Sequence, residues 1–209
     1  MRQVIGAAIV ALAAFTAAAN AACSRDVPQG AASRLVPTSA IDQGLFDRAV
    51  RSEVNFHRCR AGLPPMIAAS ARLSTVALGH SRWMASTHTL SHRSGRPGKS
   101  TVSQRIKASG IAHRVGAENL GMVHRYQIDN RRFRILDAQT CRFQGQGGTP
   151  LPAHSYASLA RHVVQLWLDS PGHRRNVLHR NLRRVSTAVA FDPKAAHCGR
   201  YWITQNFVG

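Results

Sequence analysis

The sequence predicts an α+β fold built on a mainly antiparallel sheet. Three observations carry this. Apolar residues recur at helical spacing in two long early segments and again over 155–169. Near the end, Val185, Thr187, Val189 and Phe191 alternate, and so do Tyr201, Ile203, Gln205 and Phe207, with Gly199 in the turn between them. Helices precede and interrupt the strands instead of alternating with them, so a βαβ unit is not expected.

The elements follow in order. Met1-Arg2 supplies a basic start, residues 4–19 are small or apolar, and Ala19-Asn20-Ala21 is a small-x-small cleavage site. Residues 1–21 therefore read as a secretory signal peptide cleaved near Ala21, the apolar run being shorter than the ~20 residues of a spanning helix. Cys23 just beyond it admits a lipoprotein reading, which Asn20 disfavours because an aliphatic residue belongs there. Residues 22–43 are small and polar, with Pro28 and Pro37, and read as a flexible leader. From Leu45 a helix is expected, with Phe46, Val50 and Val54 at i+4 spacing and Gly62 and Pro64-Pro65 to stop it. A second runs from Ser70 to Thr87 on Leu73, Val76, Ala77, Trp83 and Met84. Residues 89–100 form a loop. Thr101 and Gln104 are a capping box for a short helix whose Val102 and Ile106 face inward. Residues 113–123 read as a strand, and 124–154 as an insertion with irregular or short β structure. A helix over Ser155–Asp169 carries Leu159, Val163, Leu166 and Trp167 in phase, and a short one follows Ser170-Pro171 through Val177. Trp83, Trp167 and Trp202 are expected in or at the edge of the core. The length after residue 21 suits one domain, 44–209, and no later stretch is apolar enough to span a membrane.

Charge and cysteines bound the function. The chain has 28 Lys and Arg against 9 Asp and Glu, a net charge of +19, and its only lysines are Lys99, Lys107 and Lys194. Such a charge favours anionic partners, among them envelope polymers or lipids. No nucleic-acid motif accompanies it, so nucleic acid is not the expected partner. Four cysteines in an exported chain read as two disulfides with three possible connectivities. The preferred pairs are Cys141–Cys198, tying the insertion to the last hairpin, and Cys23–Cys59, tying the leader to the first helix. No Gly-x-Ser-x-Gly, His-Glu-x-x-His or zinc-ribbon spacing occurs, and Gly145–Gly148 lacks the setting of a phosphate loop. His88 and His92 are four apart, but the segment reads as a loop and not as one helix face. His57, His113, His124, His154, His162, His179 and His197 show no ligand spacing and read as surface or satisfied core residues.

Several segments in a fixed order carry a resemblance. They are Asn55 to Met66, Leu90-Ser91-His92, Gly116-Ala117-Glu118-Asn119-Leu120, Trp167 through Leu178 with its Ser-Pro-Gly-His centre, and the ending Tyr201 to Phe207. Together they resemble the CAP superfamily (the SCP or TAPS domain of cysteine-rich secretory proteins, venom antigens and plant pathogenesis-related proteins), in its compact bacterial form. The resemblance implies an α-β-α sandwich with a central, mainly antiparallel sheet and a surface cleft of two histidines and two glutamates. It places His92, Glu118 and His173 in that cleft. Ser170 stands where the remaining glutamate usually lies, which weakens any mechanism needing two carboxylates; Asp169 is adjacent but would point elsewhere. It also implies that His92 and His173 hold a divalent ion such as zinc, as in some members. Two imidazoles and a carboxylate are a chemically suitable but sparse set of metal ligands, and a carboxylate behind them can instead orient a bound water. The expectation is an exported binding or interaction module at the cell envelope or outside the cell, secreted or periplasmic. The alternatives are a metal-assisted hydrolase with Glu118 as general base, and a basic protein that binds anionic envelope polymers.

Overall fold

The computed structural model describes residues 23–209; the signal peptide expected at 1–21 lies outside the described residues. Helix α1 (Gln43–Arg60) starts at Asp42, whose Oδ1 accepts the Leu45 N–H at 2.9 Å. Such a cap contributes about 1 kcal/mol. After a two-residue strand β1 (Ile67–Ala68), α2 (Ala71–Thr87) is capped by Ser70 and α3 (Val102–Ala108) by the Thr101/Gln104 box. Strand β2 (Gly116–His124) follows. Then come the hairpin β3 (Phe133–Asp137) and β4 (Arg142–Gly145), α4 (Tyr156–Asp169), α5 (Pro171–Val177), β5 (Arg184–Asp192) and β6 (Arg200–Val208).

The main sheet has the order β1-β5-β6-β2. β5 and β6 are antiparallel with Val185 opposite Phe207, and β2 and β6 are antiparallel with Glu118 opposite Asn206. The short β1 joins β5 in parallel, a small exception that the periodicity of a two-residue strand cannot announce. Gly199 closes the β5–β6 connection at φ +99, where a Cβ would lie 2.3 Å from Phe191 Cζ, so a side chain is excluded there.

Alternation along the strands feeds two helical layers. Val185, Val189, Tyr201, Ile203 and Phe207 pack with Phe46, Val50, Val163 and Trp167 of α1 and α4 in one core. On the opposite face Leu73 and Ile106 meet Val208, and Met84 meets Leu120 and Trp202. This is an α-β-α sandwich with a mainly antiparallel centre. Trp167 and Trp202 are buried, and Trp83 lies at the edge of the second layer. α4 approaches β2 so closely that a Cβ on Gly121 would come within 2.6 Å of Val163, while Trp167 Nε1 donates to the Leu120 carbonyl at 2.7 Å.

Both preferred disulfides are present, Cys23–Cys59 and Cys141–Cys198. The first uses the thiol that a lipid anchor on Cys23 would need. The flexible leader expected at 22–43 requires a correction over its described part. Ala31 and Val36 are at most 1 % exposed and belong to the main core. The Val36 N–H donates to the His154 carbonyl at 2.9 Å, and Tyr201 Oη donates to the Val36 carbonyl at 2.7 Å. Two isolated apolar residues make no periodic pattern, so composition alone hid the docking. The insertion at 124–154 holds short β structure, as expected, over a small core of Ile128, Phe143 and Leu151.

Candidate functional site

The site grows from β2, an edge strand of the main sheet. Alternation turns Glu118 and Leu120 toward the α2–α3 layer and Asn119 toward α5. Glu118 is enclosed, its side chain fully buried. Every oxygen it offers is occupied. Arg105, on the inward face of α3, donates Nε to Oε2 at 3.0 Å and Nη2 to Oε1 at 2.6 Å. Asn206, directly opposite on β6, donates Nδ2 to Oε2 at 2.9 Å. His92 places Nδ1 3.0 Å from Oε1. Burial alone would raise the Glu118 pKa, but the bonds from His92, Arg105 and Asn206 and the Arg105 charge outweigh it and hold the carboxyl below its ordinary value.

The loop after α2 is pinned at the residues that matter. Arg105 Nη2 donates to the His92 carbonyl at 2.7 Å, and His80 Nε2 to the Ser91 carbonyl at 2.9 Å. A carbonyl only accepts, so His80 carries its proton on Nε2. Burial pushes its pKa down to about 4, against the pull of Glu118, and its Nδ1 is buried without a hydrogen-bond partner. His92 must likewise donate Nδ1–H to the ionised Glu118. In the neutral ring this leaves Nε2 with its lone pair, and the side chain is 48 % exposed.

Two asparagines seat α5 against the same strand. Asn119 Nδ2 donates to the His173 carbonyl at 3.3 Å, and Asn176 Nδ2 donates to Asn119 Oδ1 at 2.8 Å and to the Glu118 carbonyl at 3.3 Å. This brings the His173 ring to 6.4 Å from the His92 ring, centroid to centroid. Burial, then the nearby His92, lowers the His173 pKa and favours its neutral form. Ser170 ends α4 and begins α5, where its carbonyl accepts the Arg174 N–H at 2.8 Å and its side chain makes no cap bond.

The structure therefore joins His92 to Glu118 by a direct bond and sets His173 beside His92. Arg105, Asn206 and His80 complete the arrangement and were not singled out from the sequence. Arg105 had a signal: it lies between Val102 and Ile106 on the inward side of a short helix, where a lone cation needs a partner. Asn206 had none, because its role depends on strand register. The donor set fits a metal only in part. Glu118 has no free oxygen, and among the described residues no group of three or more His, Cys, Asp or Glu side chains is arranged to hold an ion. What remains is a pair of imidazoles, with Glu118 behind one of them.

A buried carboxylate–arginine clamp lies under a histidine pair at the surface of an α-β-α sandwich with two disulfides. The chain belongs to the CAP family, the cysteine-rich secretory protein family, whose model matches residues 51–207. No curated protein sequence matches it. Among solved structures it is similar to an outer surface protein of Borrelia burgdorferi, 15% identical with a TM-score of 0.52 over 80% of this chain and 96% of that one. It is also similar to an extracellular protein containing a SCP domain from Bacillus anthracis (20% identity, TM-score 0.49, 79% of this chain and 41% of that one). A cysteine-rich secretory protein from Staphylococcus aureus is 12% identical, with a TM-score of 0.48 over 83% of this chain and 41% of that one. This chain thus spans about two fifths of the last two. At these identities the likeness concerns the fold.

Proposed function

We propose that the protein is an exported CAP module that works by binding, with His92 and His173 as the contact for its ligand and Glu118 as the group that orients His92. One observation carries this reading: the Glu118–His92 bond commits Nδ1 of an exposed imidazole and leaves Nε2 outside that bond, beside His173, whose neutral form is favoured. A buried carboxylate behind a histidine is the usual way to aim a ligating nitrogen. The pair would supply two of the ligands of a loosely held divalent ion such as zinc, His92 and His173, and such an ion would add a Lewis-acidic point to the site. Export, to the periplasm or the medium, is supported by the apolar segment before residue 21 and by two disulfides. No helix among the described residues is long and apolar enough to cross a membrane. A metal-assisted hydrolase with Glu118 as general base fits less well, because both Glu118 oxygens are already saturated by donors.

The test is zinc titration by calorimetry of the wild type and of His92→Ala/His173→Ala. About one equivalent bound by the wild type and none by the double variant supports the histidine pair as a metal site. Absence of binding by both removes the ion and the hydrolase together.

A further inference from the structure

A second surface carries its own argument, independent of the histidine pair. Residues 170–191 contain no Asp or Glu, yet include Arg174, Arg175, Arg180, Arg183 and Arg184. A recess of about 680 Å³ lies on the outer side of α5 and the loop after it, lined by Pro171, Arg174, Arg175, Leu178, His179 and Arg180 among others. The arginine ion pairs among the described residues, on Arg25, Arg34, Arg51 and Arg105, lie elsewhere. Arg174 Nε donates to the Leu168 carbonyl, a bond that positions the side chain without neutralising it. Asp169, the nearest acid in sequence, is engaged by Gln165 at 2.8 Å.

The same loop is held by a further cation. Arg58 of α1 is fully buried and donates Nη1 to the carbonyls of Val177 and His179 at 2.8 and 3.0 Å, and Nε to the Pro64 carbonyl at 2.9 Å. It has no carboxylate partner among the described residues, and its Nη2 is buried with no hydrogen bond. A buried guanidinium without a counter-charge is costly, and an anion seated on the loop would offset it. Pro171 and Leu178 lie among the arginines of the recess, while the large exposed apolar side chains, such as Ile67, Leu90 and Ile135, lie outside it. Guanidinium forks suit groups that present several oxygens at once, and a phosphate can be shared by two or three of them.

We propose that the recess formed by α5 and the loop following it binds the phosphates of a linear, phosphate-bearing polymer through Arg174, Arg175 and Arg180. The probe is inorganic polyphosphate, measured by calorimetry over a salt series with the full mature chain. Arg175→Ala/Arg180→Ala, two exposed positions, should weaken binding tenfold or more and reduce the slope of log K against log salt by about 0.7 for each phosphate no longer engaged. His92→Ala/His173→Ala should leave it unchanged, which separates this site from the histidine pair. The control pair Arg132→Ala/Arg134→Ala, on the β3 hairpin, removes the same charge. Equal weakening by the control would overturn the proposal, since net charge alone would then account for binding. Polyglutamate binding as tightly as polyphosphate would overturn the phosphate assignment. Loss of binding to phosphatidylglycerol vesicles but not to polyphosphate in the Arg175/Arg180 variant would assign the recess to a membrane instead.

Discussion

At the residue scale the clamp on Glu118 sets the energetics of the site. Removing one partner of a buried pair strands the other charge, which typically costs about 3–5 kcal/mol. Arg105→Ala should therefore destabilise the protein by about that much in urea unfolding, whereas Arg105→Ala combined with Glu118→Gln should recover part of the loss. A single variant within ~1 kcal/mol of wild type would show that the pair contributes little. Acid acts on the same cluster in one direction. Glu118 has a folded pKa below its ordinary value, so its contribution is present above the unfolded pKa and is lost as pH falls through the folded one. His80 is depressed to about 4, so its neutral burial is tolerated above 6.5 and becomes a penalty as pH falls from 6.5 toward 4. That penalty is on the order of 3 kcal/mol. His80→Gln should flatten the stability profile between pH 6.5 and 4; an unchanged profile would mean that His80 does not carry the effect.

At the element scale the insertion between β2 and α4 hangs on two devices. Cys141–Cys198 ties the β3–β4 hairpin to the β5–β6 connection. A histidine cluster ties its ends to α4 and β6. His124 Nδ1 lies 2.5 Å from Asp129 Oδ1, and Arg200 Nε donates to His124 Nε2 at 2.9 Å. His162 of α4 stands 3.9 Å from Asp129, and its ring is 5.6 Å from that of His154. Burial holds His154 at about 4 and also lowers His162, with Arg131 adding to the effect at both. Both rings are thus neutral at about pH 7, and as pH falls from 6.5 toward 4 the opened segment takes up protons that the packed one resists, so the packing of the insertion is progressively disfavoured. Hydrogen exchange should show residues 124–154 losing protection between about pH 7 and 4.5 before β5 and β6 do. Equal protection of the insertion at the two pH values would sink this. Cys141→Ser/Cys198→Ser should loosen the same segment at neutral pH, with little change in the central strands.

At the scale of the whole molecule, two crosslinks and a double-layered core share the stability. Each native bridge should contribute about 2–5 kcal/mol, so a reductant should lower the melting midpoint clearly; an unmoved midpoint would deny the bridges that role. The net charge of +19 sets long-range attraction to anions but not the fold. Much of this was legible in the chain itself. Phe46-Val50-Val54, the Thr101/Gln104 box, the Leu159-Val163 phase and the two closing strands announced themselves because periodicity and capping are local properties. His92, Glu118 and His173 were legible through family motifs, as were the flanking residues of α5. The docking of Ala31 and Val36, the parallel β1, and the pairing of Asn206 with Glu118 were not. By itself, then, the sequence determined the long helices and strands of the main sandwich, which of their faces are apolar, and how the cysteines could be shared. Only the tertiary structure decided that Glu118 is consumed by Arg105 and Asn206 instead of standing free, because that outcome depends on strand register and on the path of a distant loop, which no local pattern encodes.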